Sequence, residues 1–181
     1  MKQDPVNEPI ITLRYNHGMI EIRRIRPDEW PVAKRLVYRV AYDVFNETRP
    51  LEEMIAHFDS RGTLDDMEDI QKHYFENGGD FLVTTREGEI IGTGAIRKLE
   101  GDSCELKRLW LLTEYHGQGL GYRMLKELLA IAKERGYKRM QLETDEVAQS
   151  RAVEFYKQMG FHEIPVANAS PDEDMRMEME L

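Results

Sequence analysis

Apolar positions recur along this chain with two different periods, and each change of period predicts where a strand gives way to a helix. Helical spacing is clear at Leu125, Leu128, Leu129 and Ala132, which fall on one buried face. Strand spacing is clear over 175–181, where methionines alternate with charged residues, so one wet face is expected. The strands predicted in this way are 10–15, 20–25, 81–85, 90–96, 105–112, 140–144, 161–164 and 175–181. The predicted helices are 27–45, a segment that begins at 51, 64–75, a helix that follows Gly121 and ends at Arg135, and 150–159.

The order of these elements predicts one domain of the α/β or α+β class, with a single layer of sheet covered by helices. A length of 181 residues suits one hydrophobic core. The polar, proline-containing segment 1–18 is predicted to be an N-terminal extension, and 19–181 the folded domain. Residues 86–89 indicate a hairpin between two strands, and Gly136 is typical of a helix end.

Charge and composition exclude several classes of protein. The chain has 25 basic and 34 acidic side chains and a net charge of −9, which argues against general nucleic-acid binding. Its N-terminus lacks the apolar stretch of a signal peptide, and no run approaches the roughly 18 apolar residues of a membrane span. Because Cys104 is the single cysteine, we expect a protein of the reducing cytoplasm. The five histidines show no HExxH spacing, so no metal site is predicted.

Glycines at positions 117, 119 and 121 form the clearest candidate site. They follow a predicted strand and precede an amphipathic helix, in the run Glu105–Gly121, ELKRLWLLTEYHGQGLG. Glycine adopts left-handed conformations readily, so this turn can point consecutive N–H groups inward at a helix start, where the macrodipole is positive. The pattern therefore predicts an anion site for a phosphate, with a tight turn that holds no ligand as the alternative.

Two familiar phosphate loops do not fit this run. A Walker A loop needs lysine and then serine or threonine after its last glycine, whereas Tyr122 and Arg123 follow Gly121. The dinucleotide fingerprint needs a glycine at position 122 or 124, and neither position has one. A second segment, 152–161, narrows the choice: it reads AVEFYKQMGF and combines a helix with a Gly-Phe turn.

Together the two segments resemble the GCN5-related N-acetyltransferase (GNAT) family. The family's first signature, R/Q-x-x-G-x-G/A, is similar to His116–Gly121, although His116 stands where most members have arginine or glutamine. The second signature is similar to 152–161, and the resemblance extends over about 19–181. It implies a mixed, mostly antiparallel central sheet of six to seven strands flanked by about four helices, with a splayed strand pair at an acyl-CoA slot.

The resemblance also implies an activity, namely transfer of an acetyl group from acetyl-CoA to a primary amine of a small molecule, peptide or protein, without a metal. An acyl-CoA-binding sensor or partner module with the same fold and little turnover is the alternative. A backbone N–H near Leu111 would stabilise the oxyanion. The implied cofactor-binding residues are Leu109, Trp110, Leu111 and Leu112 of the strand, His116, Gly117, Gln118, Gly119, Leu120 and Gly121 of the loop, and Gln149, which replaces the asparagine of many members.

Two residues are expected to carry the proton transfers. Glu105, at the start of the strand, is the candidate base for the amine and would act through water, with a solvated carboxylate as the alternative. Tyr156 matches the family tyrosine that protonates the leaving thiolate, with a packed helix tyrosine as the alternative. Cys104 neighbours Glu105 on an alternating strand, so we expect it to face the other way and to be buried rather than to form a covalent acyl intermediate.

The acceptor is expected to be selected by the first helices. Residues 46–80 contain ten acidic and three basic side chains, and a negative rim would attract a cationic amine such as a polyamine, an amino sugar, a lysine or a peptide N-terminus. A solvated helix face explains the same charges. Tyr38, Tyr42 and Phe45 have the spacing either of a pocket lining or of a core stripe. No nucleic-acid or membrane partner is expected, and a homodimer stays open as an alternative.

Overall fold

The computed structural model describes residues 11–15, 18–165 and 174–181. Its strands, β1 to β8, are Ile11–Tyr15, Gly18–Arg24, Asp80–Arg86, Glu89–Lys98, Ser103–Leu111, Arg139–Thr144, His162–Glu163 and Met175–Glu180. Its α-helices, α1 to α4, are Trp30–Val44, Leu51–Asp59, Leu120–Glu134 and Ser150–Gln158.

All eight of these strands join in one open sheet with the order β1-β2-β3-β4-β5-β6-β8-β7. Neighbouring strands are antiparallel, except that β5 and β6 are parallel. The mixed, mostly antiparallel sheet with flanking helices is therefore confirmed. The described chain has eight strands instead of six to seven, because Ile11–Tyr15 adds an edge strand beside β2 and the two-residue β7 pairs with β8. The proposed division of the chain at residue 19 stays a prediction.

The sheet has helices on both faces, because the side chains of its central strands alternate between two cores. In β3, Phe81 and Val83 join the core that includes side chains of α1 and α2, whereas Leu82 joins the core that includes side chains of α3 and α4. All three are fully buried, so β3 has no wet face. Within the described ranges, no helix combines the length and the apolar character needed to cross a bilayer.

The continuous helix predicted over 64–75 is wrong. A 3-10 turn covers Asp65–Met67, and a separate turn with π-type hydrogen bonding covers Gln71–Phe75. The break has a local cause, because the side chain of Asp69 accepts the N–H of Lys72 at 3.0 Å. An aspartate in that position caps a new turn instead of continuing the preceding one.

Candidate active site

Strands β5 and β6 separate shortly after they meet. Their parallel pairing covers only Ser103–Glu105 opposite Arg139–Gln141. Beyond Glu105, the remaining part of β5 has no strand on its β6 side among the residues described. The splayed strand pair expected from the sequence is therefore present, and it leaves the backbone of Leu106–Leu111 open along one edge.

A cleft of about 470 Å³ fills the gap between the two strands. One wall is the open part of β5, from Leu106 to Trp110, and the other is the end of β6 and the turn that follows, from Leu142 to Asp145. The cleft also reaches the acceptor side predicted for the first helices. There its lining includes Tyr38, Ala41, Phe45, Glu47, Met54 and Phe58.

The glycine loop leads from the end of β5 into α3. Gly117 and Gly119 both have a φ of 74°, in the left-handed region, and Gly119 is the N-cap of α3. Gly121 lies in the first turn of the helix and is not left-handed, so it does not contribute to the turn as predicted. A Cβ at any of the three glycines would meet nothing within 4 Å, so the space in front of the loop is open.

The backbone donors of this loop suit an anion. Apart from hydrogen bonds within a helix, the backbone N–H groups of Gly117, Gly119 and Gly121 donate to no backbone carbonyl among the residues described. These N–H groups lie at the start of a 15-residue helix, where the macrodipole is positive. A loop of this geometry fits a phosphate or pyrophosphate group.

His116 and Gln149 both use their side chains within the chain. Nε2 of His116 lies 2.9 Å from the carbonyl oxygen of Leu111, the last residue of β5. The amide oxygen of Gln149 accepts hydrogen bonds from the hydroxyl of Thr144 at 2.7 Å and from the N–H of Asp145 at 3.1 Å. Gln149 thus holds the turn after β6 while it also lines the cleft.

Tyr156 reaches the cleft from α4. It is 8% exposed and lines the cleft, and its ring packs against Phe155 and Phe161. Burial raises the pKa of the Tyr156 hydroxyl, so the group is protonated throughout the neutral range. Phe161 is 3% exposed, which confirms that it belongs to the core.

Glu105 occupies a different environment. Its carboxylate accepts a hydrogen bond from Nε of Arg97 at 2.7 Å and lies 3.2 Å from Nζ of Lys107. The side chain is buried, and Lys107 lines the cleft whereas Glu105 does not. The structure therefore brings Tyr156 to the cleft directly and separates Glu105 from it by the ammonium group of Lys107.

Cys104 is buried on the opposite side of β5, as predicted. It is fully buried in the core that includes Leu106 and Met140, and its thiol donates to the carbonyl of Arg139 at 3.6 Å. Burial raises the pKa of the thiol to about 12. A thiol of this kind is a poor nucleophile at neutral pH.

The family resemblance implies a bulge in this strand that splays it from its neighbour, and the structure has one in β5. Thr93 pairs with Trp110 and Ala95 pairs with Lys107, so Arg108 and Leu109 together face Gly94. A Cβ at Gly94 would lie 2.9 Å from Cγ of Met124 and 3.0 Å from a methyl carbon of Leu128, so a side chain there would press against α3.

Comparisons with known proteins agree with this geometry. A family model described as the acetyltransferase (GNAT) family matches residues 37–161. The uncharacterized N-acetyltransferase YjgM of Escherichia coli is 32% identical over 104 residues, which are 56% of this chain and 62% of that protein. Human N-acetyltransferase 8B is 31% identical over 102 residues, which are 53% of this chain and 44% of that protein. The chain thus spans less than two thirds of the length of both relatives.

Solved structures show the same fold. The PaiA N-acetyltransferase of Thermoplasma acidophilum, in complex with coenzyme A, superposes with a TM-score of 0.71 and 20% identity over 90% of this chain and 99% of that one. The similarity of fold extends over nearly the whole length of both chains. Because the family model matches more than half of the residues, the chain belongs to the acetyltransferase (GNAT) family.

Proposed function

We propose that this protein transfers an acetyl group from acetyl-CoA to a primary amine. The observation that carries the proposal is the position of the glycine loop, whose open backbone donors lie at the start of α3, directly after the strand that forms one wall of the cleft. Such a loop suits a pyrophosphate, and the splayed strand offers the adjoining length of backbone to the rest of an acyl-CoA molecule.

The backbone of β5 has donors and acceptors for that role. The N–H of Leu112 donates to Ile91 on β4 at 3.0 Å. Because backbone groups alternate direction along a strand, those of Leu111 and Leu109 point to the open side. We infer that Leu109–Leu112, together with the loop 116–121, hold acetyl-CoA, and that Gln149 orders the turn opposite them. Acetyl-CoA supplies an activated thioester, and we propose that the N–H of Leu111 donates to its carbonyl oxygen.

Two proton transfers accompany attack by an amine. An amine with a pKa near 10.4 must first lose a proton, at a cost of about 4.6 kcal/mol at pH 7. Glu105 stays our proposed acceptor of that proton, through water beside Lys107, with its carboxylate held by Arg97 and Lys107. We expect Glu105→Gln to lower kcat about 10²-fold. A variant that keeps the wild-type kcat would give this carboxylate a structural role only.

Tyr156 is proposed as the donor to the leaving thiolate. It is buried beside the cleft, and its raised pKa keeps the hydroxyl protonated at neutral pH, so it has a proton to donate toward the leaving thiolate. The contacts of the ring with Phe155 and Phe161 fix the position of the hydroxyl at the cleft.

The acceptor is proposed to be a small or peptide amine that is cationic in solution. Six of the ten acidic side chains in 46–80 form ion pairs with arginine or lysine, so the segment is less negative than its composition suggests. Four acidic residues line the cleft: Glu47 and Glu143, which pair with Arg49 and Arg176, and Asp145 and Asp174. Phe45 and Phe58 add apolar surface, which favours an amine with an aliphatic or aromatic part.

Release of free CoA thiol from acetyl-CoA tests this proposal. The panel should contain spermidine, glucosamine, a lysine-containing peptide and an anionic amino acid, each with the whole protein. We expect turnover with at least one of the cationic amines. Turnover with anionic or neutral amines alone would overturn the acceptor class. Binding of acetyl-CoA without thiol release across the panel would favour a sensor or partner module.

Location and assembly are separate proposals. The single cysteine, Cys104, is consistent with a reducing compartment, and we propose the cytoplasm on that ground. The absence of nucleic-acid partners stays a prediction from the net charge of −9. A homodimer stays an alternative that sedimentation measurements can test.

A further inference from the structure

Strand β5 contains an arginine in a backbone conformation that strands rarely use. Arg108 has a φ of 54°, in the left-handed region that favours glycine. It lies where the pairing of β4 with β5 shifts register. A non-glycine residue keeps this conformation only where its surroundings fix it. The contacts of Arg108 therefore have to account for the shape of the bulge.

Contacts on both its backbone and its side chain hold Arg108. The carbonyl of Arg108 accepts a hydrogen bond from the hydroxyl of Thr93 at 2.7 Å. The guanidinium forms a two-point ion pair with Asp66, in which Nε donates to Oδ2 at 3.0 Å and a terminal nitrogen donates to Oδ1. The same terminal nitrogen lies 3.3 Å from the carbonyl oxygen of Thr63. One side chain thus joins the bulge to the segment 62–67, which lies far away in sequence.

Asp66 is supported from its other side. The hydroxyl of Tyr74 donates to its carboxylate, and Tyr74 is fully buried. Burial raises the pKa of Asp66, but the hydrogen bonds and charge of Arg108 outweigh that effect and hold the pKa below its usual value. The side chains of Arg108 and Asp66 are 17% and 10% exposed, so solvent screens the pair little. The pair is a charged brace of fixed geometry.

This brace forms part of the wall of the cleft. Thr63 and Leu64 line the cleft from the acceptor side, and Arg108 and Leu109 line it from β5. Leu109 belongs to the bulge and Leu111 follows it by two residues, and the backbone groups of both are proposed to bind the acyl chain. A displacement of Arg108 would therefore move the wall formed by β5 relative to the wall formed by the segment 62–67.

We propose that Arg108 is a positioning residue for acetyl transfer: its ion pair with Asp66 fixes the bulge of β5 against the segment 62–67, so that acyl group and amine meet in the geometry of attack. This inference rests on the proposed function. Because Asp66 already occupies the guanidinium, Arg108 acts through the backbone of β5 and not as a ligand of the substrate. Misplacement of reacting groups by about 1 Å costs on the order of 10²-fold in rate.

Steady-state kinetics of Arg108→Gly, Arg108→Lys and Asp66→Asn test the proposal. Glycine tolerates a φ of 54°, so Arg108→Gly leaves the bulge accessible and removes the guanidinium alone. We expect kcat to fall at least tenfold in Arg108→Gly and in Asp66→Asn, while KM for acetyl-CoA stays within about threefold. The double variant that combines Arg108→Gly with Asp66→Asn should be no slower than Arg108→Gly alone. Arg108→Lys keeps the positive charge, so its kcat should lie between those of Arg108→Gly and the wild type.

Arg135→Met is the matched control. It removes another arginine from a buried aspartate, Asp80, whose carboxylate lies 2.9 Å away, at the end of α3 remote from the glycine loop. We expect it to lower the melting temperature without a change in kcat. Rates of Arg108→Gly within twofold of the wild type, or losses in the double variant that simply multiply, would overturn the positioning role.

Amide hydrogen exchange separates failure of this inference from failure of the proposed function, because it needs no acceptor. If the wild type releases no thiol with any amine, faster exchange over 62–67 and 106–111 in Arg108→Gly, but not in Arg135→Met, still supports the brace. Unchanged exchange in both segments would overturn it. If Arg108→Gly does not fold, Asp66→Asn and Arg108→Lys decide by the same criteria.

Discussion

Nε2 of His116 lies 2.9 Å from the carbonyl oxygen of Leu111, so the first residue of the glycine loop is tied to the last residue of β5. The contact joins the two elements that are proposed to hold acetyl-CoA, the loop and the open strand. It also gives this histidine a defined structural role within the chain. An imidazole with its proton on Nε2 donates this hydrogen bond in both its neutral and its charged form.

His116→Ala is expected to weaken CoA binding about fivefold. The reason is the loss of one hydrogen bond, worth about 1 kcal/mol, that orders the loop before the ligand arrives. Titration calorimetry with CoA measures the change directly. His162→Ala is the control, because His162 is exposed on β7. Equal affinity of wild type and His116→Ala would show that the loop does not need this contact.

Gly119→Val is expected to weaken CoA binding by more than about 20-fold, since a side chain there strains the left-handed backbone and occupies the space in front of the donors. Gly136→Val is a close control. Gly119 and Gly136 have φ values of 74° and 84°, and a Cβ at either would meet nothing within 4 Å. Each variant should lose about 1–2 kcal/mol of the free energy of unfolding, so both should melt at a lower temperature than the wild type by similar amounts. If both, or neither, lose CoA affinity, the loop is not the phosphate site.

The strands and helices could be predicted from the sequence because burial sets their period directly. Fully buried Leu125 and Leu128 in α3 and the alternation of Met175 and Met177 in β8 are local signals that need no partner. The break at Asp69 could not be predicted in the same way. It depends on whether the aspartate side chain turns back to the backbone, which the apolar pattern does not record.

The same distinction between local and non-local signals applies to the residues of the candidate site. Gly117, Gly119 and Tyr156 belong to short local patterns, and the structure places Tyr156 in the lining of the cleft and the two glycines in the turn that leads into α3. The ion pair of Arg108 with Asp66 joins residues that lie far apart in the sequence. Contacts of that kind carry no periodic signal, so they appear only when the fold is known.

Tyr156→Phe is expected to lower kcat about 10²-fold, because the leaving thiolate loses its proton donor, with little change in KM for acetyl-CoA. The ring stays the same, so packing against Phe161 is preserved. Tyr137→Phe is the control, since Tyr137 is also buried and its hydroxyl donates to the carbonyl of Gly78 at 2.8 Å. That variant should lose about 1 kcal/mol of stability and keep its turnover. A Tyr156→Phe enzyme with wild-type kcat would remove the tyrosine from the mechanism.

Glu29→Gln is expected to lower the free energy of unfolding by about 3 kcal/mol at pH 7, because it leaves Arg23 buried without its anionic partner. Arg23 donates to both oxygens of Glu29, at 2.8 and 2.7 Å, and the N–H of Arg26 donates at 2.9 Å. Burial raises the pKa of Glu29, but these hydrogen bonds outweigh it and lower the pKa to about 2.

The pH dependence of this difference follows from the direction of the shift. A carboxylate whose pKa is lower in the folded state stabilises the fold above its unfolded pKa and loses that effect as the pH falls toward the folded value. Urea unfolding between pH 6 and pH 3 should therefore show the gap between wild type and Glu29→Gln narrowing below about pH 4.5. Asp28→Asn, whose side chain is 80% exposed, should show a small difference at every pH. A gap for Glu29→Gln that stays constant to pH 3 would mean that the carboxylate does not stabilise the fold through its charge.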